Sequence, residues 1–393
     1  MKFWRDSRFP VVALLATGIA CAPAHGLVTL NDSHDHIFVT GSMTIARDSN
    51  IFANSDSPGD YVYSYGVSVE YTRRAGWIGV NASVAGSAAQ YGEQKSENFS
   101  NPSYSMELTK QSGRTTGSFT LSGARESRAD SAANLRATSW NYAAGLNFKY
   151  PIVERFSLAG NFGYSARKYV DETQLANLST YSAAADLFYI LTNERDLVGG
   201  YRFRYSETSL STSTTDHAIT GGVSGRIIKG INGSMRIGYQ TRTPTGSIGD
   251  AGRYQGLTAS ASTTYAINRK ISINGQLSKD FSTTATDASV ETTTASIETG
   301  YVYSNHWTIS GGAGWGDSRF LGEKGRVLIA LGPPQLLGRN RHDNYANWNT
   351  SLSYSLNEHF KATLTYAWFK NWSTVEFADF VRNSWSLNLS SRW

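Results

Sequence analysis

Along most of the chain, apolar side chains occupy every second position for about ten residues, and a polar, turn-rich break follows. Tyr61, Tyr63, Tyr65, Val67, Val69 and Tyr71 alternate with Ser64, Gly66, Ser68 and Glu70. The same phase returns in Trp140, Tyr142, Ala144, Leu146, Phe148 and Tyr150, and in Phe156, Leu158, Phe162 and Tyr164. Successive side chains on a strand point to opposite faces, so each segment predicts a strand with one oily and one wet face. After residue 26 no stretch with helical period competes with this pattern.

The breaks alternate in length. Short ones fall at 74–76, 112–113, 151–155, 193–196, 229–232, 268–270, 305–306 and 357–359. Long polar ones fall between them at 48–59, 92–102, 126–138, 170–179, 207–216, 244–253, 282–289, 317–344 and 371–383. Seventeen connections imply eighteen strands, and the alternation predicts an all-β fold: a transmembrane antiparallel up-and-down β-barrel with tight periplasmic turns and longer outside loops.

Aromatic placement separates this barrel from a soluble sandwich. On the oily face Tyr71, Tyr150, Phe156, Tyr303, Trp307, Phe360 and Trp393 fall beside short turns. Tyr61, Tyr104, Trp140, Tyr164, Tyr181, Tyr205, Tyr239, Trp315, Trp348, Trp368 and Trp385 fall beside long breaks. Two girdles of aromatics, one at each interface, suit a barrel in lipid, whereas a soluble core gives no reason to sort rings to both strand ends. Composition agrees: only 17% of residues are charged, mean hydropathy is -0.35, and no run of about 18 apolar residues would span as a helix.

The N-terminus sets the compartment. Lys2, Arg5 and Arg8 precede an apolar run over 9–20, and Ala22 and Ala24 follow, the layout of a signal peptide over 1–26 with cleavage after Ala24 or Gly26. The barrel then occupies 27–393, in the cell outer membrane. Cys21, the one cysteine, is lost, so no disulfide or cysteine metal site remains. Loss of Lys2, Arg5, Arg8 and Asp6 lowers the net charge from +5 to +3.

Eighteen strands leave room for water inside. Inward positions such as Thr40, Ser42, Thr44, Ser310, Gly312, Asn349 and Ser351 predict a wet lining. Parity places Glu70, Glu107, Asp186 and Glu298 inside, against Lys149, Arg167, Arg202, Arg204, Arg226, Arg236, Arg242, Lys361 and Arg392. Arg167, Arg202, Arg204, Arg226, Arg236 and Arg242 come from neighbouring strands and are expected to form a basic wall that enriches anions; mutual compensation of lumen charges is the alternative. Most aromatics face lipid, with Phe188 and Phe369 the main inward exceptions.

The alternating Trp385, Leu387, Leu389 and Trp393 resemble the C-terminal strand that Gram-negative outer-membrane proteins present to the barrel assembly machinery. A strand over 37–46 running into Arg47-Asp48-Ser49-Asn50-Ile51-Phe52 resembles the opening of the β-barrel porins of type 2. Some members of that family are associated with exopolysaccharide secretion, so the resemblance implies an export channel and polysaccharide export components as partners. A diffusion porin for small polar or anionic solutes, and a surface adhesin or scaffold, are the alternatives.

No catalytic site is expected: His217, His306, His342 and His359 are scattered among breaks, and no phosphate-cradling loop is present, since Gly311-Gly312-Ala313-Gly314 continues into a strand. His34-Asp35-His36 lacks a third ligand, so neither metal nor cofactor is expected, and nothing points to nucleic acid. The break at 317–344 is unusually apolar, with Val327, Leu328, Ile329, Leu331, Leu336 and Leu337. Such a loop could constrict the lumen, latch a neighbouring barrel, enter the outer leaflet, or form a local cluster beneath other loops. Mass spectrometry of the mature chain should find its first residue at His25 or Leu27; a retained Met1 would remove the export assignment.

Overall fold

The computed structural model describes residues 28–30, 35–56, 58–73, 76–130, 135–170, 175–246, 252–322, 327–328, 335–336 and 340–393. The signal peptide lies outside the described residues, as does most of the apolar stretch within 317–344. Eighteen strands form the barrel: β1 (Asp35–Asp48), β2 (Asp60–Arg73), β3 (Gly79–Tyr91), β4 (Phe99–Lys110), β5 (Thr116–Asp130) and β6 (Leu135–Val153) come first. Then follow β7 (Phe156–Val170), β8 (Leu178–Thr192), β9 (Arg195–Thr208), β10 (Ser213–Ile228), β11 (Ile231–Thr245) and β12 (Tyr254–Ala266). The last are β13 (Ile271–Thr283), β14 (Ser289–Val302), β15 (Trp307–Phe320), β16 (His342–Ser355), β17 (Phe360–Ser373) and β18 (Phe380–Arg392).

Each strand pairs antiparallel with its sequence neighbours, and β18 returns to β1 with Thr40 opposite Arg392, Thr44 opposite Asn388 and Asp48 opposite Ser384. The seam is finished by Val39 and Trp393, which exchange backbone hydrogen bonds of 2.8 and 2.9 Å. Closure leaves no strand edge to face lipid. A short strand, Val28–Leu30, adds to β1 at the periplasmic end.

The order of short and long breaks holds except at the β5–β6 connection, and most outside loops are shorter than the sequence suggested. The break at 126–138 is mostly β5 and β6, which pair as far as Asp130 and Leu135, and 207–216 contracts to residues 209–212. Polar strand tips continue to pair above the membrane because their backbone groups still need partners. Among the periplasmic turns, Lys229-Gly230 joins two strands in two residues, with Gly230 at a φ of 86° that a side chain would strain.

The outer surface carries the expected belt. Val67, Val84, Ile219, Ile237, Leu257 and Ile297 are exposed at its middle, with Tyr61, Tyr239, Trp348 and Trp385 near the outside loops and Tyr303 and Trp307 near the periplasmic turns. Rings on adjacent strands touch: Tyr164 and Tyr181 lie 5.1 Å apart between centroids, and Tyr366 and Trp385 lie 4.6 Å apart. The barrel thus sits in the outer membrane with water on one face of every strand and lipid on the other. Side chains withdrawn from solvent, among them Ile51, Tyr91, Leu175, Phe281, Val290 and Phe380, gather toward the extracellular end.

In a Cys21→Ser background the seam can be probed by paired cysteines. Thr44→Cys with Asn388→Cys should oxidise to a crosslink that alters gel mobility of the denatured chain, since directly opposed residues have Cα atoms about 4.5–5.5 Å apart. Thr40→Cys with Asn388→Cys should not, and the reverse pattern would refute this register.

Candidate functional site

Polar side chains converge at two levels of the lumen, the first at and below its middle. On β8, Asp186 lies opposite Gly200 of β9, and on β11 Arg236 lies opposite Gly222 of β10. A Cβ at Gly200 would overlap Asp186 Oδ1, and one at Gly222 would overlap the β11 backbone at Met235. The two glycines therefore clear a lane, and Arg236 Nη1 reaches across two strands to Asp186 at 2.7 Å. Phe188 lies beside this pair, with Lys149 Nζ 4.7 Å and the Arg236 guanidinium 5.9 Å from its ring centre.

A second group lies nearer the mouth. Arg204 on β9 pairs with Asp216 on β10 at 2.6 Å and with Asp280 on β13 at 3.1 Å, and donates to the Phe281 carbonyl at 2.5 Å. Arg202 joins Asp280 at 2.7 Å. Arg242 on β11, only 1% exposed, pairs with Asp216 at 3.5 Å and donates to the Thr214 and Thr283 hydroxyls. β9 and β13 stand four strands apart in the ring of eighteen, and β10 and β11 between them supply Asp216 and Arg242, so the Asp280 pairs belong to one cluster that stands off a single sector of the wall. Arg204, Asp216 and Asp280 each have two or more partners, whereas Arg202 has Asp280 alone, and Arg242 Nε and Nη1 and Asp216 Oδ1 are buried without a hydrogen-bond partner.

Loops turn inward above this cluster. Ile51, 1% exposed, packs on Ala89, Tyr91, Val62 and Phe99, all on the lumen side of their strands, so loop 49–59 lies inside the mouth. Arg136 near the β5–β6 tip donates to the Ile51 carbonyl at 3.1 Å and pairs with Glu97 at 3.0 Å. On the other side the Ala176 amide donates to the Ala285 carbonyl at 2.8 Å, and the Thr212 hydroxyl donates to Asp287 at 2.7 Å. Ala137, Leu175 and Ala285 form an apolar contact between the β5–β6 tip and these loops. Inward contacts at the mouth are thus made, among the described residues, by Ile51, the β5–β6 tip, residues 175–177 and loops 209–212 and 284–288, while most of the apolar stretch within 317–344 lies outside the described residues.

Of the six arginines expected as one basic wall, Arg202, Arg204 and Arg242 do come together, but as ion pairs rather than as a free positive surface, and Arg236 forms a separate pair with Asp186. Arg226 lies apart at the periplasmic end, bound to Glu194 at 2.6 Å, and Arg167 donates to Asn141 at 3.1 Å. Among the expected acids Asp186 is the partner of Arg236, and Glu70 pairs with Arg392 at 2.9 Å. Glu107 and Glu298 face the lumen with no ion pair among the described residues. The count of nine bases against four acids missed Asp216, Asp280 and the Asp48–Arg382 pair, 2.5 Å apart. Asp216 had been taken as loop, and no local sequence signal links Arg202 to Asp280.

Trp385, Leu387 and Leu389 point to lipid, each at least 42% exposed, and Trp393 stacks on His359 with centroids 4.3 Å apart beside Phe360. Inward aromatics are more numerous than expected. Tyr345 and Phe380 join Phe369 on adjacent strands, with both contacts 5.6 Å between centroids.

No protein-family model and no curated protein sequence matches the chain. Among solved structures it is similar to Pseudomonas aeruginosa OccK2 (OpdF), at 10% identity and a TM-score of 0.48 over 93% of this chain and 99% of that one. It is similar to the P. aeruginosa outer membrane protein OpdK, at 10% identity and 0.48 over 91% and 99%. Acinetobacter baumannii OccAB2 gives 10% identity and 0.46 over 91% and 98%. At such scores the barrel assignment stands on its own closed register.

The glycine lane yields a paired test. Gly200→Val should displace Asp186 and lower stability by about 1–3 kcal/mol, read from urea unfolding in lipid vesicles. Gly199→Val, at the lipid face where a Cβ meets nothing within 4 Å, should leave stability nearly unchanged; equal effects would argue against the lane.

Proposed function

We propose that the barrel is a water-filled channel for small polar solutes, working by diffusion rather than by export of a polymer. An eighteen-strand barrel is wide enough to hold water, and its lining of Ser, Thr, Gly and Asn exchanges hydrogen bonds with passing solutes without a deep trap. The observation that carries the reading is the mouth itself: the loops that turn inward, above the cluster of Asp280 with Arg202 and Arg204 on one sector of wall, narrow the passage. A hydrated glycan chain would have to displace these loops and hold them aside throughout transit. Exopolysaccharide export and its partner components, which the resemblance implies, are therefore disfavoured. A scaffold or adhesin has no use for a polar lumen.

Charge pairing also sets selectivity. A field that enriches anions needs uncompensated positive charge, and the four central arginines share the three carboxylates of Asp186, Asp216 and Asp280, which leaves one positive charge. Lys149, Arg167 and Lys361 are offset by Glu107 and Glu298 on other walls, leaving only a small excess. The exposed C-terminal Trp385, Leu387 and Leu389 fit recognition by the barrel assembly machinery, with outer-membrane lipid as the standing partner.

In planar bilayers under a KCl gradient the protein should conduct with a reversal potential near zero. Asp280→Asn should leave Arg202 and Arg204 undercompensated and move the reversal potential toward anions, more at 0.01 M salt, where the Debye length is roughly 30 Å, than at 1 M, where it is roughly 3 Å. Absence of conductance would favour the scaffold, and a strongly anion-selective wild type would restore the free basic wall. Deleting the gene should leave released and surface glycan unchanged; a loss would return the export reading.

A further inference from the structure

Between the β16–β18 wall and the inward loops lies a cavity of about 370 Å³, inside the range of small-molecule sites. Phe369, Phe380, Asn347, Asn349, Arg382 and Ser384 line its wall side, and Ala53 and Ala129 line the other. We propose that this cavity is a docking site for an uncharged sugar ring, a specificity determinant within the channel function proposed above, on which it rests.

The wall is built for side chains to lie along it. Gly312, Gly314 and Gly316 occupy successive lumen positions of β15. A Cβ at Gly312 would stand 3.2 Å from the Asn349 amide, one at Gly314 would overlap Asn347, and one at Gly316 would overlap the Tyr345 ring. The glycine run thus makes a shelf on which two amides and a ring rest. Among the described residues nothing hydrogen-bonds to the side chains of Asn347, Asn349 or Ser384. Two amides and a hydroxyl therefore offer both donors and acceptors to a ligand.

The remaining groups decide the ligand class. Phe369 and Phe380 give the cavity an aromatic border, suited to the C–H face of a pyranose, while the ring hydroxyls meet the amides. Arg382 would favour an acid, but its guanidinium is committed to Asp48 through bonds of 3.1, 3.0 and 2.5 Å. The site is therefore polar yet close to neutral. On the facing side Ala53 takes a φ of 53°, a left-handed conformation that a larger side chain would hold less readily, and its methyl leaves the cavity open. Loop 49–59 is fixed there by Asn50, whose amide donates to Asn54 and Val381 carbonyls at 2.7 and 3.3 Å.

The test uses the full barrel, first in planar bilayers and then in detergent micelles. Glucose, glucuronate and benzoate are added separately, and their interruptions of single-channel current are timed. Glucose should bind longest, and Phe369→Ala and Asn349→Ala should each shorten its residence about tenfold. Phe369→Tyr should retain it, and Phe188→Ala, on another wall, should not change it. Saturation-transfer NMR with the same ligands in micelles reads binding without conduction, so loss of the channel reading and loss of this site are told apart. Each variant is first shown to run as a folded, heat-modifiable barrel. Equal glucose residence in wild type and Phe369→Ala, or stronger binding of glucuronate or benzoate, would overturn the proposal.

Discussion

Inside a lipid bilayer there is no water to satisfy an unpaired backbone N–H or C=O, and each one left open costs several kcal/mol. Everything else here depends on meeting that constraint. Eighteen strands pair in a ring that the β1–β18 seam closes, so the membrane meets only side chains. Closure also divides every strand into a lipid face and a lumen face. The apolar belt, the two girdles and the polar lining are consequences of that division.

The lumen face carries a constraint of its own. An arginine on the inner wall needs a carboxylate or hydroxyl within reach, and a strand neighbour is not always the one available. Here Asp186 and Arg236 meet across two intervening strands because glycines stand at the crossing, and Asp280 meets Arg202 and Arg204 across three. Such pairs contribute little as isolated surface contacts, but where both groups are shielded, removing one strands the other. The same side chains thus hold the mouth together and set how much net charge a passing ion feels.

What the sequence made legible follows from locality. Parity in Tyr61 through Tyr71 or Trp140 through Tyr150 is a period-two signal carried by adjacent residues, and it gave the strands, their count, their lipid face and the girdles. Phe188 and Phe369 were correctly read as facing inward. The misreadings come from elsewhere. Asp216 and the polar tips of β5 and β6 look like loop because exposed strand ends share loop composition. Asp280, the partner that Arg202 and Arg204 share, lies more than seventy residues away, so that pairing leaves no trace along the chain. Ile51 and Ala53 turn inward through contacts with distant strands, which composition does not announce.

The central claim is that inward loops, above the paired charges, restrict the mouth to small solutes. Liposome swelling with a graded series of neutral sugars, from monosaccharides to long dextrans, measures that limit directly. The account predicts fast swelling with monosaccharides and a steep fall as chain length rises. Comparable rates for monosaccharide and long dextran would contradict it.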